Sequence, residues 1–281
     1  MRTRSPDTHP DAERAQVELF RRVGPARRFA LARSLSLATA QLAKRAIRRR
    51  NPEAASAEIE AIFAASHYGR PGGRDLYARN QGGNRVAPFD ILAAFVPVAE
   101  AFHQIGISYY VAGSAASVIH GISRTTLDVD LVANLSSAQV QPLADQLQDA
   151  YYLDIAHIRE AIQRRSSFNL VHLETMVKVD VFVSRNRPYD REIFRRVRPE
   201  SFEEGDSGRQ FPVLAPEDVV LTKLEWYEQG RHVSDRQWTD VLGVLRVQND
   251  ALDLAYLRHW AGELGIGGLL DQALSRGGLV G

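Results

Sequence analysis

The chain has 281 residues, 44% apolar and 25% charged, with a formal net charge of +1, which is length for one large or two modest domains and an ordinary globular composition. No stretch approaches the apolar run of a membrane span, so no membrane partner is expected, and the first residues lack the apolar core of a secretory signal. Cysteine is absent, which excludes disulfides, thiolate zinc sites and cysteine nucleophiles and fits a cytoplasmic protein.

The cations are almost all arginine, with Lys44, Lys178 and Lys223 as the lysines. The first fifty residues hold thirteen basic and four acidic side chains, which makes them +9 and leaves −8 for the rest. A basic segment on an acidic body implies an arm that faces RNA or one that docks on its own chain.

Residues 1–10 read as a disordered lead. Asp11–Val23 has helical periodicity, with Val17, Phe20 and Val23 on one side, and Gly24-Pro25 ends it. A longer helix over 26–49 carries Leu31, Leu35, Ala38 and Leu42 at i, i+4, i+7 and i+11, an apolar stripe that needs a partner. Its end, Arg45–Arg50, either complements the helix dipole or faces RNA. Asn51-Pro52 reads as a cap for a third helix that reaches about Ser66 and buries Ile59, Ile62 and Phe63. Residues 1–68 therefore form a basic helical arm or bundle. Residues 69–87, rich in Gly and Pro, read as a linker, and 88–281 as the main domain.

That domain opens with a helix from Asp90 to Ile105, kinked or frayed at Pro97 and ended by Gly106. A strand over Ser108–Ala112, a turn at Gly113-Ser114 and a short helix to His120 follow. The next strand, Asp128–Ala133, alternates apolar residues with carboxylates. Ser136 caps a helix to about Ala150, and a shorter helix surrounds His157–Gln163. Phe168–Leu173 and Met176–Val183 form a hairpin, whose second strand alternates valines with Lys178, Asp180 and Phe182. A strand over Phe211–Leu214 precedes a helix opened by Ala215-Pro216-Glu217-Asp218, whose inner face holds Val219, Val220, Lys223, Leu224 and Tyr227. Helices over Leu252–Leu264 and Ile266–Leu274 close the chain.

Asp128 and Asp130 stand at i and i+2, hence on one face of a strand. Two carboxylates there repel each other unless a cation lies between them, and Mg2+ favours carboxylate oxygen and phosphate. Gly113-Ser114 ends a strand with a residue that lets backbone approach closely, and the helix start beyond it offers N–H groups to a phosphate. Lys178 shares the face of Asp180, either as counter-charge or as a phosphate contact. Lys223, a lysine among apolar residues, calls for an anion such as a triphosphate.

Ala112-Gly113-Ser114, thirteen residues, then Asp128-Val129-Asp130-Leu131 resembles the signature of the polymerase-β-type nucleotidyltransferases. Val179-Asp180-Val181 resembles that family's third carboxylate. Arg124-x-Thr126-x-Asp128 is similar to its bacterial branch. Glu217-Asp218 with Lys223, then Arg236 and Asp240, resembles the abortive-infection toxin nucleotidyltransferases, except that Gln237 replaces an aspartate and Asp235 stands beside it. The resemblance covers about residues 88–250.

It implies an α/β nucleotidyltransferase fold: a mixed sheet of four or five strands with packed helices, a helical arm before it and a helical cap after it. It implies that Asp128, Asp130 and Asp180 hold one or two Mg2+ ions, with Mn2+ as an alternative, and that Asp240 joins them in catalysis. Gly113, Ser114, Arg124, Thr126 and Lys223 would contact the nucleotide and its phosphates. An NTP would donate NMP to an acceptor hydroxyl on RNA, tRNA or protein, in a toxin–antitoxin or phage-defence setting with an antitoxin partner. The alternatives are a catalytically weak module that binds nucleotide on the same fold, and an RNA-binding protein whose arm is the function.

Overall fold

Strand pairing follows the alternation in the aspartate and valine strands. The computed structural model describes residues 10–68, 90–203 and 209–279. The linker expected at 69–87 lies outside them, as does most of the lead. Two compact units divide the chain: one comprises residues 33–109 and 125–185, the other residues 1–32, 110–124 and 186–281. Each is a mixed α/β arrangement of strands with flanking helices.

The first unit holds four strands, ordered Tyr151–Tyr152, Ser167–His172, Lys178–Val183 and Asp128–Ala133. The aspartate and valine strands pair in parallel, and the other neighbours are antiparallel. In both of the parallel strands every second residue is buried: Val129, Leu131 and Ala133 on one, Val179, Val181 and Val183 on the other. The helix Ile91–Ile105 starts at Asp90, whose carboxylate accepts the Leu92 N–H, and Gly106 ends it in a left-handed conformation. It runs through Pro97 without interruption and buries Phe95, Val98 and Phe102. The Tyr151 hydroxyl donates to its Ala94 carbonyl at 2.7 Å. Ser136 and Gln139 form a capping box, but the helix beyond is short, Val140–Leu147, because Tyr151–Tyr152 leaves as an edge strand. That two-residue strand is too short to carry a periodic signal.

The third helix begins at Ser56, not at Asn51-Pro52, and buries Ile59, Phe63 and Ala64. Ala64 packs with Val171 and Met176, while Lys44 pairs with Glu60 and lies over the Phe63 ring.

The helix Pro25–Arg50 corrects one expectation. Leu35 and Leu42 are 47% and 64% exposed, whereas Phe29, Ala32, Ser36 and Ala40 are buried. The chain buries the face of small residues, which lets backbone come close. Ser36 Oγ there accepts the Thr126 N–H at 2.9 Å. Hydrophobicity alone selects the leucine face; close approach selects its neighbour.

The other unit holds three strands, ordered Tyr109–Val111, Gln210–Val213 and Arg198–Ser201, the first pair parallel and the second antiparallel. With these the described strands number seven, not four or five. Arg198–Ser201 contains a proline and no large apolar residue, so composition hides it. The helix Pro188–Arg196 is likewise mostly charged and is held by the buried Tyr189, Asp190 and Ile193. Helices Pro216–Gln229, Asp235–Gln248, Leu254–Glu263 and Gly267–Gly277 complete the unit with Gly113–His120. In the basic segment, Arg21 donates through Nε and Nη2 to the Arg246 carbonyl, and Phe29 stacks on Phe202.

Glu217 and Asp218 are fully buried at the start of their helix. Asp218 Oδ1 accepts from the hydroxyls of Tyr256 (2.7 Å) and Tyr189 (3.1 Å). Arg196 pairs with Glu217 at 3.1 Å and covers the Tyr256 ring. Burial pushes the Asp218 carboxyl up to about 6, against the pull of Tyr256 and Arg196. A folded state that holds this proton more tightly than the unfolded chain is favoured below the ordinary value of 3.8 and loses that advantage as pH rises through about 6. The thermal midpoint of the wild type, relative to Asp218→Asn, should therefore fall between pH 4 and pH 6 and level off above. A difference that is constant with pH would show that Asp218 titrates normally.

Candidate active site

The register of the two parallel strands sets Asp128 beside Lys178 and Asp130 beside Asp180. All four are half-buried and lie on the face opposite the buried valines. Asn169, exposed on the neighbouring strand, stands beside Asp180 on its other side; a single asparagine in a strand gives no sequence signal for that placement. Lys178 Nζ donates to Asp180 Oδ2 at 2.7 Å. Burial raises the Asp180 carboxyl above its ordinary range, Lys178 opposes this, and the charge of Asp128 adds to it.

Thr126 is buried, and its hydroxyl lies 3.0 Å from the Asp128 carbonyl and 3.3 Å from Asp128 Oδ1. With its N–H on Ser36, Thr126 buttresses the aspartate strand at its entry.

Gly113, Ser114, Arg124, Lys223 and Asp240 belong to the other unit. Gly113 has φ of 54°, in the left-handed region, and opens the helix Gly113–His120 without a side-chain cap at Ala112. Ser114 is buried. At the far end of that helix, His120 Nε2 is 2.7 Å from the Leu214 carbonyl. Burial lowers the His120 pKa to about 4, so the ring is neutral at pH 7 and its N–H donates. Gln248 donates to the His120 carbonyl at 2.7 Å. A Cβ at Gly121 would sit 2.8 Å from the Ser117 carbonyl oxygen and 3.0 Å from Val244 N, so glycine lets the chain pass close against the helix Asp235–Gln248.

That approach brings Arg124 to Asp240. Arg124 grips the Asp240 carboxylate through Nε and Nη2, both at 2.6 Å, and Lys223 Nζ donates to it at 2.7 Å. Burial alone would raise the Asp240 pKa, but Arg124 and Lys223 together hold it below the ordinary range. The anion that Lys223 requires is thus supplied by the protein itself. Asp235 lies in the first turn of the same helix, where Ser234 caps the Gln237 N–H.

No protein-family model matches the chain, and no curated protein matches it. Among solved structures it is similar to an antigenic nucleotidyltransferase-like protein from Paracoccidioides brasiliensis, with 18% identity and a TM-score of 0.40 over 66% of this chain and 92% of that one. The likeness is distant and partial. Among the described residues no helix is long and apolar enough to cross a membrane.

Among the described residues, no three His, Cys, Asp or Glu side chains gather closely enough to hold a metal ion as they stand. The donors of the aspartate and valine strands are of the kind that a hard divalent cation takes. They are three carboxylates on one face, with charge concentrated enough for Asp128 to raise the Asp180 pKa.

Asp240 is the hub of its triad, and removing it strands two half-buried cations. Asp240→Ala should cost about 3–5 kcal/mol of stability, and Lys223→Met less, because Arg124 keeps its two-pronged grip. Urea unfolding of the two variants checks this; a larger loss for Lys223→Met would contradict it.

Proposed function

We propose that the chain is a nucleotidyltransferase that moves a nucleoside monophosphate from an NTP to an acceptor hydroxyl. The observation that carries the reading is the one-face register of Asp128, Asp130 and Asp180 on adjoining parallel strands with an apolar opposite face. The spacing of Gly113-Ser114 before Asp128-Val129-Asp130 supports it.

In this reading Asp128, Asp130 and Asp180 hold Mg2+, or Mn2+ in its place. When bound, such an ion supplies positive charge for the triphosphate and Lewis acidity for the reacting oxygens. Backbone N–H groups at Gly113 and Ser114 receive phosphate oxygens. Lys223 turns to a phosphate while Arg124 keeps Asp240 neutralised. Asp180 takes the proton of the acceptor hydroxyl, which is more acidic beside a cation than in water. The hydroxyl oxygen bonds to the α-phosphorus, the bond to the β-phosphate bridge breaks, and pyrophosphate leaves. Thr126 acts by holding Asp128.

The finer reading is a toxin of the abortive-infection kind, cytoplasmic, with RNA, tRNA or a protein hydroxyl as acceptor and an antitoxin as its partner. A second reading has its own support. Asp180 and Asp240 already hold lysines, which suits a module that binds nucleotide with little turnover.

Pyrophosphate release from each NTP, with Mg2+ and total RNA as acceptor, separates the two. Turnover should appear and should fall at least about a hundredfold in Asp130→Asn, since even indirect supports of a metal are worth ten- to hundredfold. NTP binding without pyrophosphate release would favour the binding module. Turnover unaffected by Asp130→Asn would overturn the assignment of the carboxylates.

A further inference from the structure

The helix Pro25–Arg50 buries its small-residue face, and the face it turns outward has an order of its own. Leu35, Ala38, Leu42, Arg45 and Arg49 follow one another at intervals of three and four residues, the spacing that keeps one seam of a helix toward a partner helix. All of them are exposed, Leu35 by 47% and Leu42 by 64%. The helix Ser56–Tyr68 meets the long helix on another side, where Lys44 pairs with Glu60 and Arg48 donates to Ser56 Oγ at 3.1 Å. An ordered line of leucines facing outward marks an interaction surface more than scattered exposed leucines do.

Charge along the seam says what would cover it. The seam is apolar at Leu35, Ala38 and Leu42 and cationic at Arg45 and Arg49, and the helix contains no Asp or Glu. Attraction to the helix dipole accounts for cations in the last turn, but Arg45 stands before that turn and in line with the leucines. The same helix of a second copy would set arginine against a helix without acids, which repels. RNA would take the arginines and leave Leu35 and Leu42 in water. A helix with leucines along one part of its face and carboxylates along the rest covers both parts of the seam, burying the leucines and pairing the arginines.

We infer that the outward seam of Leu35, Ala38, Leu42, Arg45 and Arg49 is a docking surface for an acidic amphipathic helix of a partner protein. The inference is independent of the transfer chemistry proposed above. Leu35 and Leu42 supply the apolar contact, and Arg45 and Arg49 fix the sign of the partner and the end of the seam at which its carboxylates lie.

The test uses the full chain and a labelled synthetic helix that carries leucines and then glutamates along one seam, read by fluorescence anisotropy. A peptide with lysine for each glutamate and one of scrambled order are the controls. The wild type should bind the glutamate peptide in preference to both controls, and less tightly as salt rises. Leu35→Gln with Leu42→Gln should weaken that binding by about tenfold or more, with an unchanged thermal midpoint because both side chains are exposed. Arg45→Glu with Arg49→Glu should lose the glutamate peptide and gain the lysine peptide, a reversal that a misfolded variant would not give. Equal binding of the three peptides, or binding that ignores both pairs of substitutions, overturns the inference. A dimer of the full chain that the leucine substitutions dissolve, seen by sedimentation, would give the seam to a second copy and overturn it. Binding of single-stranded RNA that needs Arg45 and Arg49, with no binding of the glutamate peptide, would overturn it in favour of RNA.

Discussion

Asp130 lies beside Asp180 because two parallel strands pair in a single register. That register is set by what it buries: Val129 against Val179, Leu131 against Val181, and Ala133 against Val183. A fully buried valine or leucine contributes about 1.5–3 kcal/mol, and a slip of one residue would turn all of them outward and drive the aspartates into the core. The alternative is thus penalised twice, by lost apolar burial and by unpaired buried charge. The carboxylate face is fixed by the valine face behind it.

What the register leaves unresolved is charge, and the protein answers with cations of its own. Lys178 takes Asp180, and Arg124 with Lys223 takes Asp240. The two solutions differ in kind. Arg124 closes on Asp240 with two short bonds and is backed by the packing of Gly121 against Val244, which makes a fixed part. Lys178 is one flexible donor beside a carboxylate whose pKa burial has raised. The buried cluster of Asp218, Glu217, Arg196, Tyr189 and Tyr256 is a third case, in which hydroxyls and a guanidinium tie three helices and supply no exposed donor. Glu217 and Asp218 stand in the first turn of their helix, yet their partners include these side chains, Arg198 and the Asp253 N–H. They hold structure together.

Strong alternation was legible. The strand Asp128–Ala133 reads from its sequence with the bounds it has in space, and Asp90 and Gly106 mark the ends of their helix. Elements held by few or charged residues were not. Tyr151–Tyr152 is too short for a period, Arg198–Ser201 lacks apolar bulk, and Pro188–Arg196 hides Tyr189 and Ile193 among arginines and acids. The stripe of Leu31, Leu35, Ala38 and Leu42 misled because hydrophobic spacing ranks leucine above alanine and serine, while close packing here prefers Ala32, Ser36 and Ala40. In the candidate site the residue types were legible, as was Lys178 as counter-charge to Asp180, but the pairings of Asp240 were not. Spacing puts Asp128 and Asp130 on one face. Nothing in it tells that Lys223 and Arg124 share Asp240, since those contacts depend on how separate segments meet.

The central proposal is that the face bearing Asp128, Asp130 and Asp180 binds the divalent cation of nucleotidyl transfer. Anomalous diffraction from crystals grown with Mn2+ and a non-hydrolysable NTP tests it most directly. The account predicts an anomalous peak within ligand distance of Asp130 and Asp180, with the Lys178 ammonium moved off Asp180. A peak elsewhere, or no peak at saturating Mn2+ with Lys178 still bonded to Asp180, would contradict it.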